Sequence, residues 1–102
     1  MNHVNFTESA RNDMFQIASF TMTDSGFKET ALEYIRKLEA GILSLKNYPE
    51  RGSIPRYKIL RLQGYRILMI ESHLVFYKTN DQNKMVIVYR ILHQKTAYFN
   101  FL

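Results

Sequence analysis

The feature that most constrains this chain is a change of hydrophobic period at "NYPERGSIPRY", residues 47–57. Ahead of it apolar residues recur at helical spacing; behind it they come in short strand-like runs. Pro49, Gly52 and Pro55 all oppose helix continuation, so the switch has a covalent cause.

Upstream, Ala10, Met14, Ile17 and Ala18 predict a helix over Glu8–Thr23 with Thr7 as its N-cap. "TDSG" breaks it. Phe27, Ala31, Tyr34, Ile35, Leu38, Ile42 and Leu45 then share one side of a longer helix over Phe27–Lys46, whose weak point is Gly41. His3–Phe6 reads as a short opening strand. Downstream, "YKILRL", "YRILMI", "HLVFYK" and "KMVIVYRIL" are separated by "QG", "ES" and "TNDQN", the pattern of an antiparallel meander. The predicted fold is α+β, with two N-terminal helices packed on one face of a mainly antiparallel sheet of four to five strands. Residues 1–102 form one domain, large enough for a core of its own.

Charge is unevenly placed. Residues 1–50 carry five Lys/Arg against seven Asp/Glu, whereas residues 51–102 carry nine against Glu71 and Asp81. The second half therefore favours an anionic partner, nucleic acid or an acidic protein, although basic residues also serve plain solubility. With no cysteine there are no disulfides or thiolate metal sites, and no apolar run approaches the roughly 20 residues of a membrane helix. The expected setting is cytoplasmic, without membrane contact. Gly-rich phosphate loops, HExxH, GxSxG and paired histidines at ligand spacing are all missing, so no metal or small-molecule cofactor is expected.

Two-residue loops at Gln63-Gly64 and Glu71-Ser72 would set Arg61 opposite Arg66 and Arg66 opposite Tyr77. Thr79 opposite Lys84 then sets Tyr77 across from Val86. By alternation Arg61, Arg66, Tyr77 and Arg90 come out on one face, a cationic surface that suits an anion. Singly, each arginine could equally snorkel or pair with a helix carboxylate. Among the histidines, His3 and His73 read as exposed spectators. His93, ending a strand in basic surroundings, is a candidate proton donor. Tyr77, Tyr89, Tyr98 or Phe99 could stack on a base.

The order of "LSLKNYPERG", "YKILRLQGYRIL", "HLVFYKTNDQNKMVIVYRILH" and the tail "TAYFNFL" resembles the RelE/ParE superfamily of bacterial type II toxins over nearly the whole chain. The resemblance implies a toxin held inactive by a cognate acidic antitoxin. It also implies one of two targets: ribosome-bound mRNA, cut by RelE-like members, or DNA gyrase, poisoned without catalysis by ParE-like members. By position, Arg66 matches the arginine on the scissile phosphate, Lys58 a basic residue of the preceding strand, and His93 the general acid. Lys95 falls where a second phosphate-binding cation is common, and Tyr98 near a tail tyrosine that orients RNA. The leading expectation is a ribosome-dependent mRNA interferase, a metal-independent endoribonuclease. Its catalytic set is Arg66, Lys58 (or Glu50 as base), His93 and Arg90, with Arg61, Lys95, Tyr77 and Tyr98 binding RNA or a partner. The alternative is a non-enzymatic gyrase poison.

Overall fold

A computed structural model of the chain describes residues 1–101, the side chains of Phe99 and Asn100 excepted. The elements run β1 (His3–Phe6), α1 (Glu8–Ser25), α2 (Lys28–Leu43), a 3-10 turn (Ser44–Lys46), α3 (Lys58–Leu62), β2 (Arg66–Ile70), β3 (His73–Asn80), β4 (Met85–His93) and α4 (Ala97–Phe101). Strand order is β1-β4-β3-β2, with β1 parallel to β4 and the other pairings antiparallel. This is the α+β arrangement expected, two N-terminal helices on a four-stranded sheet.

Thr7 caps α1 as its sequence position predicts. Its Oγ1 accepts from the Ala10 N–H at 3.1 Å and donates to the Tyr89 carbonyl at 2.9 Å, so the cap also pins the helix to β4. Gly26, at φ 76°, closes α1 in the left-handed conformation and returns its N–H to Met22. Ala10 and Ile17 of α1, with Leu38 and Ile42 of α2, pack on Leu68, Val75, Tyr77, Val86, Val88 and Ile91. Gly41 has a reason to interrupt α2. A Cβ there would lie 2.5 Å from Ile70 Cδ1, so glycine is what makes room for the Ile70 side chain of β2.

Three expectations are corrected. First, "YKILRL" is a one-and-a-half-turn helix, α3, and not a strand; the Gln63-Gly64 hairpin and the facing of Arg61 and Arg66 do not exist. Only Leu60 of that segment is buried, which is the periodicity of a helix resting on one residue. Second, Tyr77 pairs with Val88 and Phe76 with Arg90, so Tyr89 is the extra residue of a β-bulge. The bulge reverses parity, giving Arg90 the register of Phe76 while Arg66 keeps that of Tyr77; from this sheet edge the Arg90 side chain reaches Asp13 of α1. Third, no open cationic face carries Arg61, Arg66, Tyr77 and Arg90: the Tyr77 face lies under α1 and α2, and the opposite face is covered as well. Leu60, Ile67, Leu74, Phe76, Leu92 and Ala97 form a second core there, overlaid by Tyr65, Tyr98 and Phe101.

Candidate functional site

Arg66 opens β2 beside the loop that the period switch created. Its Nη1 donates to the carbonyls of Gly52 at 2.8 Å and Glu50 at 3.3 Å. Its register partner Tyr77 is fully buried, accepts the Gly52 N–H at 2.9 Å and donates to the Pro49 carbonyl at 2.8 Å. Burial raises the Tyr77 phenol above its ordinary range, partly opposed by the Gly52 hydrogen bond and by Arg66. The pair thus clamps residues 49–52. Tyr77→Phe should cost about 2 kcal/mol in chemical denaturation, because two interior hydrogen bonds vanish and the Gly52 N–H is left without its acceptor. Amide exchange across residues 50–53 should rise with it.

The other arginines are engaged elsewhere. Arg90 Nε and Nη2 meet the Asp13 carboxylate at 2.7 and 3.1 Å, and the Ile91 N–H donates to the same carboxylate at 2.9 Å. The Asp13 hydrogen bonds raise the Arg90 pKa, so its charge is fixed. Arg61 donates to the carbonyls of Pro55 and Arg56 at 3.2 and 3.0 Å, holding α3 to its own approach loop. Lys58 lies exposed on α3.

His93 and Lys95 are at the far end of the sheet from Arg66. In register terms Arg66 is level with Tyr77 and His93 with His73, four β3 positions apart, roughly 16 Å across two strands. His93 is exposed, and its ring meets that of His73 at 5.3 Å between centroids. His73 is no spectator: it is half-buried, and its Nδ1 lies 2.6 Å from the Tyr34 hydroxyl. Burial, and secondarily His93, lowers its pKa. Tyr98 is part of the second core, 4.6 Å from Tyr57 and 5.9 Å from Phe76 between ring centroids. Tyr89 pairs with Tyr65, and Lys78 Nζ sits 4.6 Å over the Tyr65 ring and 5.1 Å over that of Tyr89. The stacking considered for Phe99 lies outside the described side chains.

The expected residues are therefore brought together only in part. Arg66 and Tyr77 form one group, His93 and Lys95 another, and Lys58 with Arg61 a third. Asp13, Tyr34 and His73 were missed. Asp13 had a signal, since a carboxylate at position 13 falls inside the Ala10, Met14, Ile17 stripe and must find a partner when that stripe is buried. No group of three or more His, Cys, Asp or Glu among the described residues could hold a metal ion.

The family model described as ParE toxin of type II toxin-antitoxin system, parDE, matches residues 4–98. The chain belongs to the ParE toxin family. A solved structure of the chromosomal ParDE toxin–antitoxin system from P. aeruginosa superposes on this ParE-family chain with TM-score 0.74 at 19% identity, covering 91% of this chain and 96% of that one. The toxin–antitoxin complex RelBE2 from Mycobacterium tuberculosis gives 0.67 at 19% identity over 90% and 96% of the two chains. The RelB-RelE antitoxin–toxin complex from Methanococcus jannaschii gives 0.60 at 15% identity over 96% and 99%. No curated protein sequence matches. At these identities the structural likeness bears on the fold, and the family match carries the assignment as a type II toxin.

Proposed function

We propose that this ParE-family toxin acts without catalysis, as a poison of DNA gyrase, and that a cognate acidic antitoxin from the same module neutralises it in the cytoplasm. The observation that carries this reading is the second core. Tyr98 and Phe101 pack there with Phe76, so the tail tyrosine that would orient RNA lies against the sheet face opposite to Arg66. The separation of Arg66 from His93 supports it further, because one phosphodiester needs its charge stabiliser and its acid within a few ångströms of the same atoms. Arg90 is spent on Asp13. Basic groups spread over α3, the 49–57 loop and the strand ends suit a broad acidic protein surface better than a single reacting phosphate.

A ribosome-dependent mRNA interferase using Arg66, Lys58, His93 and Arg90, with Arg61, Lys95, Tyr77 and Tyr98 holding RNA, is the second reading. It draws on the likeness to two RelE toxin structures and on the exposed His93 ring beside Lys95. Expression without antitoxin separates the two. Induction is expected to arrest growth with a DNA-damage response and stabilised gyrase–DNA cleavage complexes while mRNA stays intact. Codon-linked cuts in mRNA, abolished by His93→Gln, with gyrase unaffected, would reverse the assignment.

A further inference from the structure

At the end of the sheet remote from Arg66, α1, α2 and the ends of β3 and β4 enclose a cleft of about 800 Å³. Most of the exposed wall is apolar surface, and polar or charged side chains from α1, α2 and the strand ends border it, a mixture that a small polar ligand with an apolar part would suit. Those groups include Tyr34, His73, His93, Lys95 and Arg90, and Phe20, 69% exposed, lines it from α1.

The hydrogen bonds engage Nδ1 of both rings and leave both Nε2 atoms without a protein partner among the described residues. The Lys95 backbone N–H donates to His93 Nδ1 at 3.2 Å, so that nitrogen carries a lone pair and the neutral ring keeps its proton on Nε2. The Tyr34 hydroxyl accepts the Ser72 N–H at 3.2 Å, and among the described residues its own proton has only His73 Nδ1 as acceptor, at 2.6 Å. With the Tyr34 hydroxyl as donor in this contact, His73 too carries its proton on Nε2. The two rings are cross-strand register partners. A metal cation would have to displace both Nε2 protons; an anion accepts them as they stand. The Lys95 ammonium borders the same space, and Arg90 Nη1 has no partner among the described residues. Asp13 is neutralised by Arg90, whereas Asp24 bounds the α1 end and repels a second negative group from that side.

We propose that this cleft binds an aromatic phosphate monoester, its phosphate oxygens on the Nε2–H groups of His73 and His93 and on the Lys95 ammonium, and its ring against Phe20. A nucleoside monophosphate has this chemistry, whether free or as the phosphorylated end of a strand. Nothing in the proposed gyrase reading uses the site.

The test follows the histidine Hε1 resonances of the full chain in titrations with inorganic phosphate, AMP and adenosine. Phosphate and AMP are expected to shift both histidines, with AMP about tenfold tighter, a difference of about 1.4 kcal/mol. Lys95→Ala should weaken both by about tenfold, and Phe20→Ala should reduce AMP to the affinity of phosphate. Both side chains are exposed, so an unchanged melting temperature confirms that the fold persists. A 5′-phosphorylated oligonucleotide tighter than AMP would identify a strand end as the source, and AMP tighter would identify the free nucleotide. Adenosine binding as tightly as AMP, histidines that do not respond to phosphate, or Zn²⁺ replacing the Nε2 protons in competition with phosphate would each overturn the proposal. The readout is binding alone, so its failure leaves the assignment of the toxin's target untouched.

Discussion

Asp13→Ala is expected to lower the unfolding free energy by about 3 kcal/mol, a fall of roughly 12–20 °C in melting temperature for a domain of this size. The carboxylate is 9% exposed and serves two guanidinium N–H groups and the backbone N–H of Ile91. That last bond matters because β1 pairs with β4 only as far as Val88. Beyond it the β4 edge has no strand partner among the described residues, and α1 supplies Asp13 in its place. Removing the carboxylate strands the Ile91 N–H beneath α1 and leaves Arg90 with an uncompensated charge, although its 32% exposed side chain can recover some hydration. Arg90→Met should cost less, since Asp13 still accepts from Ile91. In a double-mutant cycle the two changes together should cost less than their sum, by about 1–2 kcal/mol. Additive costs would mean that the bridge holds nothing and that Asp13 matters only to Ile91.

The same pair shows what the amino-acid pattern could and could not reveal. Both long helices, the His3–Phe6 strand, the Glu71-Ser72 turn and the Arg66–Tyr77 pairing follow from period, caps and turn residues, all of them local. The error at residues 57–62 is the usual ambiguity of a short apolar run. Tyr57, Ile59, Leu60 and Leu62 alternate well enough for a strand, and five residues are too few to display a helical period. Tyr57, Ile59 and Leu62 are in fact 47%, 56% and 74% exposed, so local hydrophobicity overstated how much of that segment is buried.

Arg90 was misplaced for a different reason. The β4 hairpin closes Asn80 against Met85, a register two residues from the one expected, and a shift of two preserves the face. The bulge at Tyr89 then changes parity by one. No glycine marks it; it arises where Thr7 takes the Tyr89 carbonyl and Asp13 takes the Ile91 N–H, contacts separated by about eighty residues in the chain. A face argument built on alternation cannot survive an irregularity fixed by such distant groups. The positive charge itself is real, but of the three arginines expected to share a face only Arg90 is paired with a carboxylate among the described residues, while Arg66 and Arg61 hold loop carbonyls. Of the nine basic residues in 51–102, Arg90 is paired with Asp13, and the remaining eight still outweigh Glu71 and Asp81, which favours an acidic partner.

Gly52→Ala is expected to be nearly as damaging as the loss of Asp13, about 3 kcal/mol, by steric rather than electrostatic means. A Cβ there would lie 2.7 Å from the Tyr77 hydroxyl, 2.8 Å from its Cε1 and 2.9 Å from the Ile67 carbonyl oxygen. Neither neighbour can yield cheaply. Tyr77 is fully buried in the helix-side core, and Ile67 is bridged to Ser53 by N···O contacts of 2.8 and 2.9 Å. The loop must therefore lift off, and the Gly52 hydrogen bonds to Tyr77 and Arg66 go with it. Gly64→Ala is the contrast: no atom lies within 4 Å of its Cβ, and the strain of φ +87° alone should cost about 1–2 kcal/mol. Because Gly52→Ala and Tyr77→Phe both break the same N–H to hydroxyl contact, their costs should overlap when combined. If denaturation instead gives the full sum, the 49–52 loop does not depend on Tyr77, and Arg66 is left as its anchor.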